Sequence, residues 1–117
     1  MSGHSKPRIL CVSRSEFRLR TICSSIPPYE YEIVSASTPE QAVAFCASNQ
    51  LEAVVLDSEF LTDGWSAAKT LKLVSPNVPV VLLGWQDEAD TPRGIDAVAA
   101  TYSHLAHKLE ALLKKRP

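Results

Sequence analysis

Three runs in this chain are apolar with almost no polar interruption, and they limit the fold more than any other feature. They are Ile9-Leu10-Cys11-Val12, Ala53-Val54-Val55-Leu56 and Val78-Pro79-Val80-Val81-Leu82-Leu83. A short unbroken apolar run is a strand covered on both faces, since a half-exposed strand would alternate apolar and polar residues. Two weaker strand candidates accompany them, Tyr31–Ser35 and Ala97–Ala100. Between the candidates lie segments of helical period. Leu19, Ile22, Cys23 and Ile26 share one helix face, which Pro27-Pro28 is expected to end. Ser37-Thr38-Pro39 places a capping hydroxyl before a proline, which starts a second helix running to about Ser48. Trp65, Ala68 and Leu71 follow the Asp63-Gly64 turn and mark a third helix, which Ser75-Pro76-Asn77 breaks. Residues 84–94 are polar and contain Pro92 and Gly94, which leaves room for one short helix at most. Leu105, Leu109, Leu112 and Leu113 mark a last helix, whose end carries Lys114, Lys115 and Arg116 to complement its dipole. Strands alternating with helices predict a parallel sheet with helices on both faces.

The 117 residues amount to one domain, 1–117, able to bury about two thirds of its surface. No apolar run approaches the roughly 20 residues of a membrane helix. The start, Met1-Ser2-Gly3-His4-Ser5-Lys6-Pro7, contains no apolar core of a secretory leader. Three cysteines at irregular spacing read as buried free thiols, so the expected location is cytoplasmic. The net charge of −1 is uneven: +4 over residues 1–23, −7 over 24–64 and +2 over 65–117. That balance argues against nucleic acid as a partner.

In open parallel sheets the site lies at the carboxyl ends of the strands. The residues there are Ser13-Arg14, Asp57, Gly84-Trp85 and Thr101-Tyr102. Asp57 ends an unbroken apolar strand, where a carboxylate is a nucleophile, a metal ligand or a helix cap. Ser13-Arg14-Ser15-Glu16 fits a capping box, with Ser13 as the cap. The same residues 13–15 offer an alternative anion or nucleotide site at a helix N-terminus, although the loop lacks glycines for close backbone approach. Cys11 and Arg18 are one residue too far apart for a Cys-x₅-Arg phosphatase loop, with Phe17 at the arginine position. Cys11, Cys23 and Cys46 are expected in the core. His104 and His107 have a metal-compatible spacing but no evident third ligand. Trp85 either fills space beside the site or anchors an interface.

Several segments together resemble the receiver domain of two-component response regulators. Pro7–Val12 looks like the opening strand, and Ala36–Val43 like the second strand's exit into its helix. Leu51–Asp57 is similar to the phospho-acceptor strand, and Leu71–Leu83 to the third helix and fourth strand. The resemblance implies a flavodoxin-like (βα)₅ three-layer sandwich with a five-stranded parallel sheet, here with the fourth helix short or missing. It also implies that Asp57 stands in the phospho-acceptor position. In that family an acidic pair and a backbone carbonyl hold Mg²⁺, and a hydroxyl, an aromatic and a lysine form the switch. The corresponding positions here are Ser13 and Arg14 for the pair, the Glu59 carbonyl, and Gly84, Val98 and Thr101 for the switch. Only the acceptor is kept.

A hard small cation needs carboxylate oxygens. Asp57 beside a guanidinium, expected to be that of Arg14, makes a poor site. The expectation is a degenerate, pseudo-receiver signalling module that is not an enzyme and holds no cofactor. With no second domain's worth of residues, it would signal by contact with a separate protein, a histidine kinase or a downstream component. Mg²⁺ enters only on the alternative of a phosphorylatable stand-alone regulator.

Overall fold

The computed structural model describes residues 6–57, 67–84 and 95–114. They form β1 (Arg8–Val12), α1 (Glu16–Ser24), β2 (Glu32–Ala36), α2 (Pro39–Ser48), β3 (Ala53–Asp57), α3 (Ala67–Val74), β4 (Val80–Leu83), β5 (Ala97–Ala99) and α4 (Tyr102–Lys114). The strands make one sheet in the order β2-β1-β3-β4-β5, and every pairing is parallel. This is the expected flavodoxin-like order, which reverses between β1 and β3 and so opens a crevice at their carboxyl ends. The expected short fourth helix falls on residues 85–94, outside the described residues. Trp65, Asp63-Gly64, Lys115 and Arg116 also lie outside them.

The period of two along a strand divides the core into two layers. Leu10, Val12, Val54, Leu56, Val80, Leu82 and Val98 face one way and pack with Ala42 and Cys46 of α2 and Leu71 of α3. Ile9, Cys11, Ala53, Val55, Val81, Leu83 and Ala99 face the other way, onto Ile22 of α1, Ile26, and Leu105 and Leu109 of α4. All five residues of β3 are buried, as its unbroken apolar run requires.

Several boundaries differ from the sequence expectation: β4 begins at Val80, not Val78, and β5 ends at Ala99, not Ala100. β2 is shifted one residue, to Glu32–Ala36. α1 closes at Ser24, before Pro27-Pro28. The Ser25 N–H donates to the Thr21 and Ile22 carbonyls, and its hydroxyl donates to the Thr21 carbonyl. Ile26 therefore lies beyond the helix, yet it is fully buried in the α1 and α4 layer. α2 begins as expected. Thr38 accepts from the Gln41 N–H at 3.1 Å, and the Gln41 side-chain oxygen accepts from the Ser37 N–H at 3.0 Å.

Candidate functional site

The strand parity that builds the second layer also sets the direction of Asp57. It follows Ala53 and Val55 on the α1 side, at the last position of β3, and its side chain is completely buried. Ser13, one residue past β1, follows Ile9 and Cys11 on that same side and is also fully buried. Burying an ionised carboxylate is costly without compensating partners. Two of them are supplied by the loop and first turn that follow β1. The Ser13 hydroxyl donates to Asp57 Oδ2 at 2.8 Å. Arg18 closes a planar fork on the carboxylate, with Nε to Oδ2 at 2.6 Å and Nη2 to Oδ1 at 2.7 Å. Both carboxylate oxygens are thus engaged by a bidentate, charge-assisted pair.

Arg18 can do this because it lies one turn before Ile22. Residues i and i+4 share a helix face, so the stripe that seats Ile22 in the core also aims Arg18 inward, at the carboxyl edge of the sheet. Its guanidinium keeps partial contact with solvent, the side chain being 39% exposed.

This corrects two expectations. The cation on Asp57 is Arg18, not Arg14, which is exposed on the loop. The cap of α1 is Ser15, not Ser13. Ser15 accepts from the Arg18 N–H at 3.2 Å, while the Ser13 hydroxyl accepts from the Ser15 N–H at 3.2 Å and donates to Asp57. Ser15→Ala should therefore cost about 1 kcal/mol, the usual worth of a cap. A thermal melt checks this, and an unchanged midpoint would show that Ser15 does not cap.

Of residues 13–15, Ser13 turns its hydroxyl inward to the Asp57 carboxylate and Ser15 caps its own helix. Gly84 leaves β4 with a φ of 90°, a left-handed conformation that glycine adopts without a Cβ clash. Beside it is a cavity of about 340 Å³ lined by Arg18, Leu83, Gly84, Ala100, Thr101 and Tyr102. Thr101 lies on this cavity, but its hydroxyl is within 2.8 Å of Ser103 Oγ and 3.3 Å of His104 Nδ1, at the first turn of α4. Val98 is buried in the opposite layer, against α2 and α3. Glu59 and Trp85 lie outside the described residues. His104 and His107 are exposed.

Does this donor set suit the Mg²⁺ of a receiver? It does not. The carboxylate that would bind the ion holds a guanidinium fork instead, and the neighbouring side chains are a buried serine and an exposed arginine. Among the described residues, no three His, Cys, Asp or Glu side chains gather as a metal site.

Arg18 is the site residue that the sequence reading missed in this role. A signal for it exists. It is a lone inward-facing arginine on the α1 stripe, four residues before a core isoleucine and close to a strand that ends in aspartate.

No family model matches the sequence. Among curated proteins it is similar to the transcriptional regulatory protein PrrA of Mycobacterium bovis and of Mycobacterium tuberculosis. Each is 26% identical over 124 residues, covering 98% of this chain and 53% of theirs. The chain thus spans about half the length of the curated relatives it matches. The fold is similar to that of a response regulator from Thermotoga maritima, with a TM-score of 0.78 and 11% identity over 94% of this chain and 99% of that one. It is also similar to a CheY-like receiver domain protein from Methanospirillum hungatei, with a TM-score of 0.76 and 16% identity, covering 95% and 96% of the two chains. A third similar fold is the receiver domain of a sensor histidine kinase from Pseudomonas aeruginosa, which was solved with a magnesium ion coordinated in its active-site cleft. There the TM-score is 0.78 with 18% identity, and coverage is 94% and 99%. No helix among the described residues is long and apolar enough to cross a membrane. The sheet order and the aspartate at the end of β3 agree with the match to PrrA: the chain has the fold of a response-regulator receiver domain and resembles that family in sequence.

Proposed function

We propose that this receiver domain is a degenerate one, in which the phospho-acceptor aspartate has become half of a structural ion pair. The single observation that carries this reading is the Arg18 fork on Asp57. A carboxylate acts on a phosphoryl group only if an oxygen is free to attack and a cation neutralises the group it approaches. Here the Arg18 cation faces the nucleophile itself and engages both of its oxygens. A guanidinium is a fixed monovalent charge that gives no coordination site to an incoming phosphoryl oxygen.

The domain then works as a binding module in a two-component phosphorelay and is not an enzyme. Its partner is a protein, either a histidine kinase or a downstream signalling protein. Nucleic acid is disfavoured by the near-neutral charge.

The expected metal response is flat. Titration calorimetry with Mg²⁺ should show no saturable binding below about 10 mM, given a single carboxylate already engaged. Acetyl phosphate with Mg²⁺ should leave the intact mass unchanged. A phosphoryl adduct that maps to Asp57 would refute the degenerate reading in favour of the phosphorylatable one.

A further inference from the structure

Cys11 and Cys23 are not two isolated core thiols. Cys11 sits mid-strand in β1, completely buried, and faces α1 with the rest of its layer. Cys23, on α1, packs onto that layer but is only half-buried, contrary to the expectation of a core residue. Its outer side borders a groove of about 450 Å³, together with Glu16, Leu19, Arg20, Ser24 and Ser35. Ser35 of β2 is the register partner of Cys11, so the groove lies beside the strand position of the buried thiol. The two thiols share this layer, Cys11 from β1 and Cys23 from α1. The interaction with Cys11 lowers the Cys23 pKa to about 7, while the interaction with Cys23 together with burial pushes Cys11 well up. The charged groups lining the groove are Glu16 and Arg20, both from α1 itself. Cys46 is a built-in contrast. It is buried in the other layer, and desolvation raises its pKa.

We propose that Cys23 and Cys11 form a peroxide-responsive pair, in which Cys23 is the site of oxidation and Cys11 closes a disulfide with it. Reactive sensor thiols are accessible and placed beside a resolving cysteine; Cys23 borders the groove and packs onto the layer that holds Cys11. The Cys23 thiolate attacks a peroxide oxygen. The O–O bond breaks, an S–O bond forms, and hydroxide leaves to be protonated. The Cys11 sulfur, giving up its proton, then attacks the sulfenic sulfur and water departs. Two thiols lose two electrons to one peroxide. The product ties α1 to β1 five residues from Arg18, so oxidation acts on the helix that holds Asp57. The proposal stands whether or not Asp57 is phosphorylated.

The test is to treat the full chain with hydrogen peroxide at pH 7, unfold it, alkylate with N-ethylmaleimide and map the peptides. The expected product has one Cys11–Cys23 disulfide, with Cys46 alkylated, and dithiothreitol reverses it. In Cys11→Ser, dimedone should label Cys23 instead. Cys46→Ser leaves the pair untouched and should form the same disulfide, which keeps the test decisive if the Cys11 variant does not fold. In the native reduced chain, iodoacetamide should label Cys23 at least about tenfold faster than Cys46, as the difference in thiolate character and access requires. Three alkylated cysteines after peroxide, or equal labelling of Cys23 and Cys46, would overturn the proposal.

Discussion

Replacing Arg18 with alanine should cost this domain about 2 kcal/mol, a loss far larger than an exposed arginine on a helix normally gives. Asp57 is fully buried and would lose the cation that compensates its burial. Breaking a fully buried ion pair by removing one member costs roughly 3–5 kcal/mol. The guanidinium here is partly exposed, so water can enter its place, and the lower figure applies. For a domain of this size that is a drop of roughly 10 °C in melting midpoint. Asp57→Asn should also destabilise, because a neutral amide cannot take the charge of the fork. In a receiver with clustered carboxylates the same change would relieve repulsion. The double variant Arg18→Met with Asp57→Leu should recover most of the loss, since an apolar pair leaves no buried charge behind. Denaturant melts of the parent, the Arg18→Met and Asp57→Leu single variants and this double variant give the coupling directly. An Arg18→Ala chain within about 0.5 kcal/mol of the parent, the usual range for surface substitutions, would contradict the pair.

The second large effect is the return of a metal response. Ser13→Asp with Arg14→Asp supplies the two missing carboxylates, and Arg18→Ala frees the oxygens of Asp57. The triple variant places like charges around a buried site, so without metal it should melt well below the parent. Mg²⁺ should then raise its midpoint, because a ligand bound only by the folded state stabilises it. At tenfold excess over Kd that is about 1.4 kcal/mol, or several degrees. The parent midpoint should not move with Mg²⁺. If the double variant that retains Arg18 responds to Mg²⁺ as strongly as the triple variant, the fork is not what blocks the metal.

The elements legible in the sequence are those whose signal is local. β1 after Arg8, β3 before Asp57 and all of β4 are apolar because each is buried on both faces, and such a run has few other readings. Thr38-Pro39 marks the start of α2 because the cap and the proline act within one turn. Asp57 is legible because a charge closing an apolar run must lie at a sheet edge. What the sequence leaves open depends on rotation and register. The loop after β1 offers two serines, each able to cap. The capping-box spacing to Glu16 favours Ser13, but the demand of Asp57 for a donor takes Ser13 away and leaves the helix to Ser15. Counting positions after β1 brings Arg14 to the site, whereas a helix can bring a residue one turn further on. Arg18 reaches Asp57 because the Ile22 stripe fixes the angle of α1. The half-exposure of Cys23 depends on the same angle, and so does its packing onto the layer of Cys11.

Whether Asp57 is an anchored structural carboxylate or a switch is tested most directly by the amide NMR spectrum of the chain with and without beryllofluoride and Mg²⁺. A ligand shifts a conformational equilibrium only through contacts that differ between the two states. Gly84 offers no hydroxyl and Val98 no ring, and Arg18 already engages both oxygens of Asp57. The predicted spectrum is unchanged, or changed only at the immediate neighbours of Asp57. Shifts spreading through residues 84–105 would show a working phosphorylation switch and would contradict a structural role for Asp57.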